Sequence, residues 1–482
     1  MVNIVLHDPL TIRLDTNNWA YLNEVKEHFR YYVEGYKFMS QYKCGKWDGK
    51  VGLMDSLKRT IPYGILLDLL KYHKKEWPEL PYTLSPEVRQ LFVGIKPEYL
   101  KNLSLKPYNY QDDCITACLQ TSKGIIRSST ASGKSLMISY VIKALQEANQ
   151  TKNGIIVVPS IGLVTQFYED MKEYGMNMNN IGRVGDDWKE WDNPLVISTW
   201  QSLNNVRHHM NRMDTVVIDE VHGAKAKVLC ELLQECPNAR WRYGFTGTMP
   251  YRRLDYLQTQ QYLGPILREY GASRLAKMGY VAEAFIKMIH VEYKRQPTGT
   301  YNDIKDEVFN NNYRQGIIKD IIKKSDGNVL ILVGKVSSEG DLLKTLLVND
   351  PEFENYEIEF LSGRDSATDR EMWRKYMDDK NKRIILIATY GIFQQGINIK
   401  SLRHLILGSP FKSKIRVLQS IGRTLRIHAD KVTGAIVWDI CDTVKHLTEH
   451  SDVRLKHYNI EEFSVEEFNV TEGQRYEEIL FT

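Results

Sequence analysis

Three short stretches of this 482-residue chain carry residue types that could bind a nucleoside triphosphate and cleave it. The first stretch, residues 128–135 (SSTASGKS), ends in Gly-Lys-Ser like a phosphate-binding loop but begins with serine where that motif has glycine. The run GIIR precedes it and SLMISYVIKAL follows it, which predicts a strand, a loop and a helix. In this arrangement backbone N–H groups face the phosphates, Lys134 reaches the β and γ oxygens, and the Ser135 hydroxyl binds Mg²⁺.

The second stretch is the apolar run TVVI, which is followed by DEVH at residues 219–222. Ligand sites of parallel sheets form at the carboxyl ends of the strands, so Asp219 and Glu220 are expected beside the phosphate loop. Phosphoryl transfer needs a metal ion to neutralise charge and a group that orients the attacking nucleophile. We therefore predict that Asp219 binds Mg²⁺ and that Glu220 polarises the attacking water.

The third stretch, QSIGRTLR at residues 419–426, places Arg423 and Arg426 three residues apart, so that they share one face of a helix. If a second domain packs across the first, these arginines are expected to act as arginine fingers at the γ-phosphate. Gln419 and Gly422 complete the pattern Q-x-x-G-R-x-x-R.

The elements that must position these residues follow from short apolar runs. GIIR, GIIVVP, LVIST and TVVIDE predict buried parallel strands, and after the polar segment 294–307 the rhythm restarts with VLILVG, YEIEFLSG, IILIAT, HLILGS and GAIVWD. This predicts two consecutive α/β domains behind a small N-terminal α+β domain. The predicted limits are 1–90, 91–282 and 283–458, followed by 459–482 as a solvated acidic tail or helix, or a docking segment for a basic partner.

Composition excludes several classes of protein. The formal net charge of +4 is too small to indicate nucleic-acid binding by itself. The six cysteines form no C-x-x-C pair, which predicts neither a zinc site nor a disulfide framework and favours a reducing cytosol. No window approaches the roughly 18 consecutive apolar residues of a membrane span. We expect a protein that is neither exported nor bound to a membrane.

Seven motifs in order, from about residue 105 to 440, resemble the superfamily 2 DExH-type helicases and translocases. The resemblance implies two tandem RecA-like parallel-sheet domains that use ATP and Mg²⁺. It assigns nucleotide contacts to Tyr110, Gln111, Thr130, Ser132, Gly133, Lys134, Ser135, Asp219 and Gly396. It assigns coupling of hydrolysis to movement to Thr246, Gly247, Thr248 and Gln419. It assigns nucleic-acid contacts to Pro159, Ser160, Thr199, Lys335, Thr389 and Gly391, and Lys412 and Lys414 are further candidates.

The N-terminal segment 35–64 carries the signal about the substrate. Between Lys37 and Arg59 it has six basic and two acidic residues interleaved with aromatic ones, and WDGK at residues 47–50 predicts a tight turn between strands. Lys46 and Trp47 on such a hairpin could contact DNA by stacking or by wedging a junction. The alternative is that Trp47 belongs to the core of a small domain and that the lysines are only solvated.

This segment, with its GKWDGK and IPYG features, is similar to the N-terminal domain of the phage UvsW-type helicases. That family implies branched DNA as substrate, with fork regression, Holliday-junction branch migration and R-loop unwinding, which involves RNA–DNA hybrids. It also implies a monomer in the cytoplasm of an infected bacterium, with a recombination or single-strand-binding protein as a partner of the acidic tail. An RNA helicase, or an ATP-gated clamp or annealing factor that does not unwind, stays open as an alternative.

Overall fold

The computed structural model describes residues 1–96, 103–185, 187–203, 207–223, 226–250, 252–379, 382–394, 399, 401–409, 421 and 434–481. The chain divides into two units. The first consists of Met1–Ser128 and Gly133–Tyr270, and the second of Ser129–Ser132 and Gly271–Thr482.

In the first two strands of the N-terminal domain, the buried residues Val2, Ile4, Ile12 and Leu14 alternate with more exposed ones, the pattern of a sheet with one face on a core. Its strands are β1 (Val2–Asp8), β2 (Thr11–Asp15), β3 (Arg30–Tyr32), β4 (Lys50–Gly52), β5 (Thr60–Pro62) and β6 (Tyr82–Leu84). Its helices are α1 (Trp19–His28), α2 (Ser40–Lys43), α3 (Leu66–Glu76) and α4 (Pro86–Gln90). One sheet has the order β5-β2-β1-β6, and β3 pairs with β4 in a separate antiparallel ribbon.

The rest of the first unit is an α/β domain whose strands consist mostly of buried apolar residues, as a parallel sheet covered on both faces requires. The strands are β7 (Lys123–Ser128), β8 (Gly154–Val158), β9 (Ile181–Gly185), β10 (Trp188–Lys189), β11 (Leu195–Thr199), β12 (Thr215–Asp219), β13 (Trp241–Thr246) and β14 (Ile266–Tyr270). The helices are α5 (Asn109–Gln120), α6 (Lys134–Glu147), α7 (Ile161–Glu173), α8 (Trp200–Leu203), α9 (Ala226–Gln234) and α10 (Arg253–Gln260). The sheet order is β10-β9-β11-β8-β12-β13-β7-β14, and only β10 runs antiparallel to its neighbour.

The N-terminal domain packs directly on α10. Leu254 and Leu257 of that helix belong to the same buried cluster as Ile12 and Leu66. The amide of Gly64 donates to the carbonyl of Gln261 at 3.0 Å, and a Cβ atom at this glycine would lie 2.0 Å from the Gln260 carbonyl oxygen. Only glycine permits so close an approach of two backbones.

The second unit contains a seven-stranded parallel sheet. Its strands are β15 (Ala284–Glu292), β16 (Val329–Val333), β17 (Glu357–Leu361), β18 (Ile384–Thr389), β19 (His404–Leu407), β20 (Ala435–Asp442) and β21 (Ser464–Thr471), in the order β17-β18-β16-β19-β20-β15-β21. Its helices are α11 (Ala272–Lys277), α12 (Tyr301–Phe309), α13 (Asn312–Lys324), α14 (Leu342–Val348), α15 (Ala367–Met377), α16 (Tyr390–Gln394), α17 (Leu447–Ile460) and α18 (Glu477–Leu480). The predicted fold class, two parallel α/β domains behind a small α+β domain, is confirmed.

The C-terminal prediction is wrong in one respect. Residues 459–482 do not form a separate solvated tail, because β21 lies within them and pairs along its whole length with β15. Lys287 of β15 forms an ion pair with Glu466 at 3.8 Å, and Nε2 of His290 shares a hydrogen bond of 2.9 Å with Glu467. Glu466 and Glu467 are therefore exposed residues of an edge strand and not part of a separate tail. The predicted domain limits themselves stay a proposal.

Among the helices that the structure describes, none has both the length and the apolar character that crossing a membrane would require.

Candidate functional site

Three neighbouring parallel strands bring the predicted catalytic groups of the first unit to one edge of the sheet. Thr246 at the end of β13 lies in register with Arg127 of β7, and Asp219 at the end of β12 lies in register with Phe245. The phosphate loop follows β7, Glu220 follows β12, and Gly247 follows β13. The carboxyl edge of the sheet therefore assembles motifs that are far apart in sequence.

The phosphate loop has the backbone conformation that its sequence requires. Gly133 has φ +73° and directly precedes α6, so that the helix N-terminus is presented at the loop. Ala131 also has a positive φ, of 69°, which a small side chain tolerates better than a bulky one. Thr130 and Ser132 lie in the connection Ser129–Ser132.

The Lys134 side chain is buried and faces the predicted catalytic carboxylate. Its Nζ lies 3.3 Å from Oε1 of Glu220 and donates to the carbonyl of Ser128 at 3.4 Å. Glu220 has φ +49°, a conformation that costs a non-glycine residue energy and that clusters at functional sites. In this structure Lys134 is thus held between Glu220 and the backbone carbonyl of Ser128.

The two adjacent carboxyl groups have opposite electrostatic environments. Burial and the negative charge of Glu220 raise the pKa of Asp219 above its ordinary value. Burial also acts to raise the pKa of Glu220, but the positive charge of Lys134, with smaller contributions from His222 and from the Gly247 amide, outweighs it and holds that pKa below the ordinary value. Glu220 is therefore the carboxylate that is ionised at neutral pH without any help from a metal ion.

The Ser135 hydroxyl shares a hydrogen bond of 2.9 Å with the hydroxyl of Tyr174, which follows α7. The sequence contains no signal for this contact, since the two residues are separated by 39 positions. A metal ion bound by Ser135 would have to share or replace this partner.

The oxygen ligands present fit Mg²⁺. Ser135 offers a hydroxyl and Asp219 a carboxylate, and a Mg²⁺ ion bound with a nucleotide takes only one or two protein ligands because phosphates and water supply the rest. Among the residues that the structure describes, no cluster of three or more His, Cys, Asp or Glu side chains could hold a metal ion on its own.

Gln111 lies beside the phosphate loop. Its side-chain oxygen accepts a hydrogen bond from the backbone of Tyr108 at 2.8 Å, which closes a capping box at the start of α5. Its Nε2 faces Gly133, where an added Cβ atom would lie 2.4 Å away from it. Tyr110 is buried in the first turn of the same helix.

We expect Gly133→Ala to weaken ATP binding about 10-fold or more, because it combines an unfavourable positive φ with a clash against Gln111. Binding of a fluorescent ATP analogue measures this effect. Gly279→Ala is the matched control, because Gly279 has φ +77° and nothing lies within 4 Å of its added Cβ. Equal affinities of the two variants would contradict the close approach of Gln111 to the loop.

A hydrogen-bonded chain connects the DEVH residues to the predicted coupling motif. Nδ1 of His222 bonds the hydroxyl of Thr246, which donates to the carbonyl of Thr248 at 2.7 Å. The amide of Gly247 donates to Oε2 of Glu220 at 3.4 Å. Burial lowers the pKa of His222, with Lys134 contributing and Glu220 opposing. His222 was quoted in the motif but not predicted as a site residue, and this chain gives it a structural connection to Glu220.

The predicted nucleic-acid contacts of the first unit also share the carboxyl edge, since Val158 of β8 lies in register with Thr199 of β11. Pro159 and Ser160 follow β8 and are half-buried. The Ser160 hydroxyl has no hydrogen-bond partner among the described residues. The Thr199 hydroxyl, by contrast, is engaged by the Ser202 hydroxyl at 2.9 Å.

In the second unit, β16 and β18 bring two further predicted contacts to one edge, because Val333 lies in register with Thr389. Gly391 is exposed in α16. Lys335 follows β16, and its Nζ forms an ion pair of 2.8 Å with Asp306. A phosphate would have to compete with Asp306 for this lysine.

In the N-terminal domain, Lys46 is exposed and Trp47 is half-buried. The Trp47 indole N–H donates to the carbonyl of Lys50, the first residue of β4, at 2.8 Å. This bond ties the Trp47 side chain to the start of the strand. The predicted tight turn between strands is wrong, because β3, the partner of β4, ends at Tyr32 and residues 33–49 intervene.

The remaining predicted site residues lie outside the described part of the chain: Gly396, Lys412, Lys414, Gln419, Arg423 and Arg426.

Three family models match successive parts of the chain. Residues 1–80 match "DNA helicase UvsW, N-terminal", residues 104–251 match "Type III restriction enzyme, res subunit", and residues 314–428 match "Helicase conserved C-terminal domain".

Individual proteins extend this similarity. The ATP-dependent DNA helicase UvsW of enterobacteria phage T4 is 27% identical, over 95% of this chain and 94% of its own length. The DNA 3'-5' translocase XPB2 of Sulfurisphaera tokodaii is 22% identical, over 70% of this chain and 83% of its own. A structure of an HsdR-subunit fragment of a type I restriction enzyme from Vibrio vulnificus has a TM-score of 0.60 at 15% identity and covers 78% of this chain and 72% of that one. The last likeness supports the fold.

Proposed function

Because the chain belongs to the superfamily 2 helicases, we propose that it is an ATP-dependent DNA helicase that translocates on DNA and remodels branched substrates. The observation that carries this proposal is the similarity to UvsW along nearly the whole chain, including the N-terminal domain that a separate family model matches. Neither parallel-sheet domain alone would distinguish this activity from other ATP-driven motors.

ATP hydrolysis is proposed to use the groups at the carboxyl edge of the first sheet. Lys134 exchanges Glu220 for the γ-phosphate, which leaves the Glu220 carboxylate to orient the attacking water. The lowered pKa of Glu220 supports this role, because a residue that accepts a proton from water must be ionised at the working pH. Asp219 and Ser135 would hold Mg²⁺, which neutralises phosphate charge when bound. Arg423 and Arg426 are proposed as the arginine fingers that stabilise charge on the transferred phosphate.

Coupling of hydrolysis to movement is proposed to run through the hydrogen bonds that connect Glu220 and His222 with residues 246–248. The contact of Gly247 with Glu220 supports this proposal, because a shift of the carboxylate on hydrolysis would alter the hydrogen bond that holds the coupling loop. The same loop continues toward α10, on which the N-terminal domain packs.

DNA contacts are proposed at Ser160 and Thr199 in the first unit and at Lys335, Thr389 and Gly391 in the second. Hydroxyls, backbone amides and lysines at strand ends recognise phosphates and carry no sequence information, so binding would be independent of sequence. Similarity to the phage helicase supports forks, four-way junctions and R-loops as substrates. It also supports action in an infected bacterial cell, with a phage recombination or single-strand-binding protein as partner of residues 459–482, by a protein that works as a monomer.

Two alternatives remain from the sequence. An RNA helicase would share the two motor domains, but the N-terminal match to a DNA helicase favours DNA. An ATP-gated clamp that binds without unwinding would not need the connection between Glu220 and the coupling loop, and that connection favours a motor.

The test compares ATPase rates of the purified chain with no nucleic acid, single-stranded DNA, duplex DNA, a four-way junction and RNA, with Lys134→Ala as the inactive control. We expect DNA to stimulate hydrolysis and the junction to be unwound. Stimulation by RNA and not by junction DNA would make the RNA-helicase alternative correct. Junction binding with ATP turnover but no strand separation would make the clamp correct.

A further inference from the structure

The segment between β3 and β4, residues 33–49, is a mostly exposed part of the N-terminal domain with an internally hydrogen-bonded backbone, here called the lysine loop. A 3₁₀ turn at Tyr36–Phe38 is followed directly by α2, and the amide of Phe38 donates to the carbonyl of Gly35 at 2.9 Å. The amide of Lys46 donates to the Gln41 carbonyl at 3.0 Å beyond the helix. Because its backbone is hydrogen-bonded on both sides of residues 38 and 39, little entropy would be lost when the loop binds a ligand.

Aromatic rings fix the base of the lysine loop. The Tyr36 ring stacks on Tyr32 with a centroid distance of 4.5 Å and meets Tyr42 edge-on at 4.8 Å. Gly49, with φ +83°, lets the Tyr36 ring lie against the backbone, since an added Cβ would be 2.3 Å from that ring. Trp47 closes the loop through its indole N–H. These rings build the loop and hold its tip in place.

The tip itself is apolar and unsupported. Phe38 is 82% exposed and the adjacent Met39 is 41% exposed. A large apolar side chain that is exposed in this way contributes little to the stability of the fold, because it buries little apolar surface. Its free ring face can stack on another flat ring, and a nucleobase is the ring that the proposed function brings to this domain.

The charges around the tip select an anionic ligand. Lys37, Lys43 and Lys46 form no ion pair among the described residues, whereas both acidic residues of the loop are engaged by arginines outside it. Arg30 holds Asp48, and Arg252 holds Glu34 at 2.7 Å. The lysines therefore present uncompensated positive charge beside an exposed ring, a combination that fits a phosphate backbone with a splayed base.

We propose that Phe38 is the residue that stacks on the first unpaired base at a DNA branch point, with Lys37, Lys43 and Lys46 binding the flanking phosphates. This rests on the proposed DNA-helicase function and deepens it, because it assigns the contact to the tip of the loop and gives Trp47 a supporting role. The ligand is a single-stranded segment at a junction; uninterrupted duplex offers no free base face.

The test uses the full chain and a forked DNA that carries 5-iodouracil at its first unpaired position. Near-ultraviolet light is expected to crosslink that base to the peptide containing Phe38, and a fork with the probe eight base pairs inside the duplex should give no such crosslink. Phe38→Ala is expected to abolish the crosslink and to weaken fork binding about 5-fold or more, as the loss of one base stack implies. Phe38→Tyr should retain both.

Leu57→Ala is the matched control, because Leu57 is 97% exposed on the same domain and lies outside the lysine loop. Its fork affinity and its crosslink should equal those of the wild type. The variant with Lys37, Lys43 and Lys46 all changed to Gln should reduce the slope of log affinity against log salt by about 3, which is about one per lost phosphate contact.

Several outcomes would overturn the inference while leaving the proposed function intact. One is that Phe38→Ala leaves both the fork affinity and the crosslink unchanged. Another is that the crosslink maps to Trp47, and a third is that the triple lysine variant keeps the wild-type salt slope. Each of these counts against the inference alone when DNA stimulates the ATPase of the wild-type protein. Absence of DNA-stimulated ATPase in the wild type would instead contradict the proposed function. Because the Phe38 side chain is 82% exposed, its replacement is expected to leave the thermal unfolding temperature unchanged, which a melting curve verifies.

Discussion

Replacing Glu220 with glutamine is expected to lower the DNA-stimulated rate of ATP hydrolysis about 10²- to 10⁴-fold, the range that general-base groups contribute. The glutamine amide keeps the size of the side chain but cannot accept a proton from the attacking water. ATP binding should persist or become tighter, because Lys134 loses its carboxylate partner at 3.3 Å and is left free for the phosphate. The change should therefore appear in kcat and not in the dissociation constant for ATP.

Single-turnover hydrolysis and the affinity for a fluorescent ATP analogue separate the two quantities. Glu190→Gln is the matched control, since it removes a carboxylate of the same unit that pairs with Arg183 and lies outside the site. This control should leave both quantities unchanged. If Glu220→Gln lost ATP binding and kept its turnover at saturating ATP, Glu220 would be a binding residue and the role assigned to it would be wrong.

Arg426→Ala is expected to reduce kcat about 10³- to 10⁵-fold, which is the contribution of arginine fingers in other phosphoryl-transfer enzymes. A finger acts on charge that develops in the transition state, so the affinity for ATP should change little. Arg423→Ala should show the same separation, because both guanidinium groups share one helix face in the predicted motif.

The measurement is a pair of titrations, ATPase rate against ATP and nucleotide binding without hydrolysis. Arg403→Ala controls for the loss of an arginine in the second unit, because Arg403 forms an ion pair with Asp326. A rise in the dissociation constant with normal turnover at saturation would identify Arg426 as a ground-state phosphate ligand instead.

The sequence predicted strands well wherever the strand's own residues are mostly apolar. The nine apolar runs of the two α/β domains all form strands, and all of these except the edge strand β17 are largely buried, because continuous burial requires continuous apolar sequence. Strands that break this pattern were missed. In β13, Arg242 is fully buried but donates to the carbonyls of Leu233, Cys236 and Ala239, so a charged residue occupies a core position. Only the surrounding backbone makes this position acceptable to an arginine.

The edge strand β21 was missed for a related reason. Its sequence SVEEFNVT is rich in glutamate and resembles a solvated segment, but its stability comes from backbone pairing with β15 and from the basic side chains opposite. Likewise, the motif WDGK resembles a hairpin turn, although the partner strand of β4 lies far upstream. The residues of a strand do not by themselves show which other strand it pairs with.

The sequence by itself determined the chemical groups of the site. Lys134, Ser135, Asp219 and Glu220 belong to short motifs at strand ends, where residue type and spacing suffice to predict a nucleotide site. Tertiary structure decided which groups touch. Ser135 meets Tyr174 across 39 positions and His222 meets Thr246 across 24, and the exposed ring is Phe38 where the sequence had favoured Trp47. The physical reason is that contacts and exposure depend on the order of the strands and on the packing of the loops between them, which no local pattern of residues specifies.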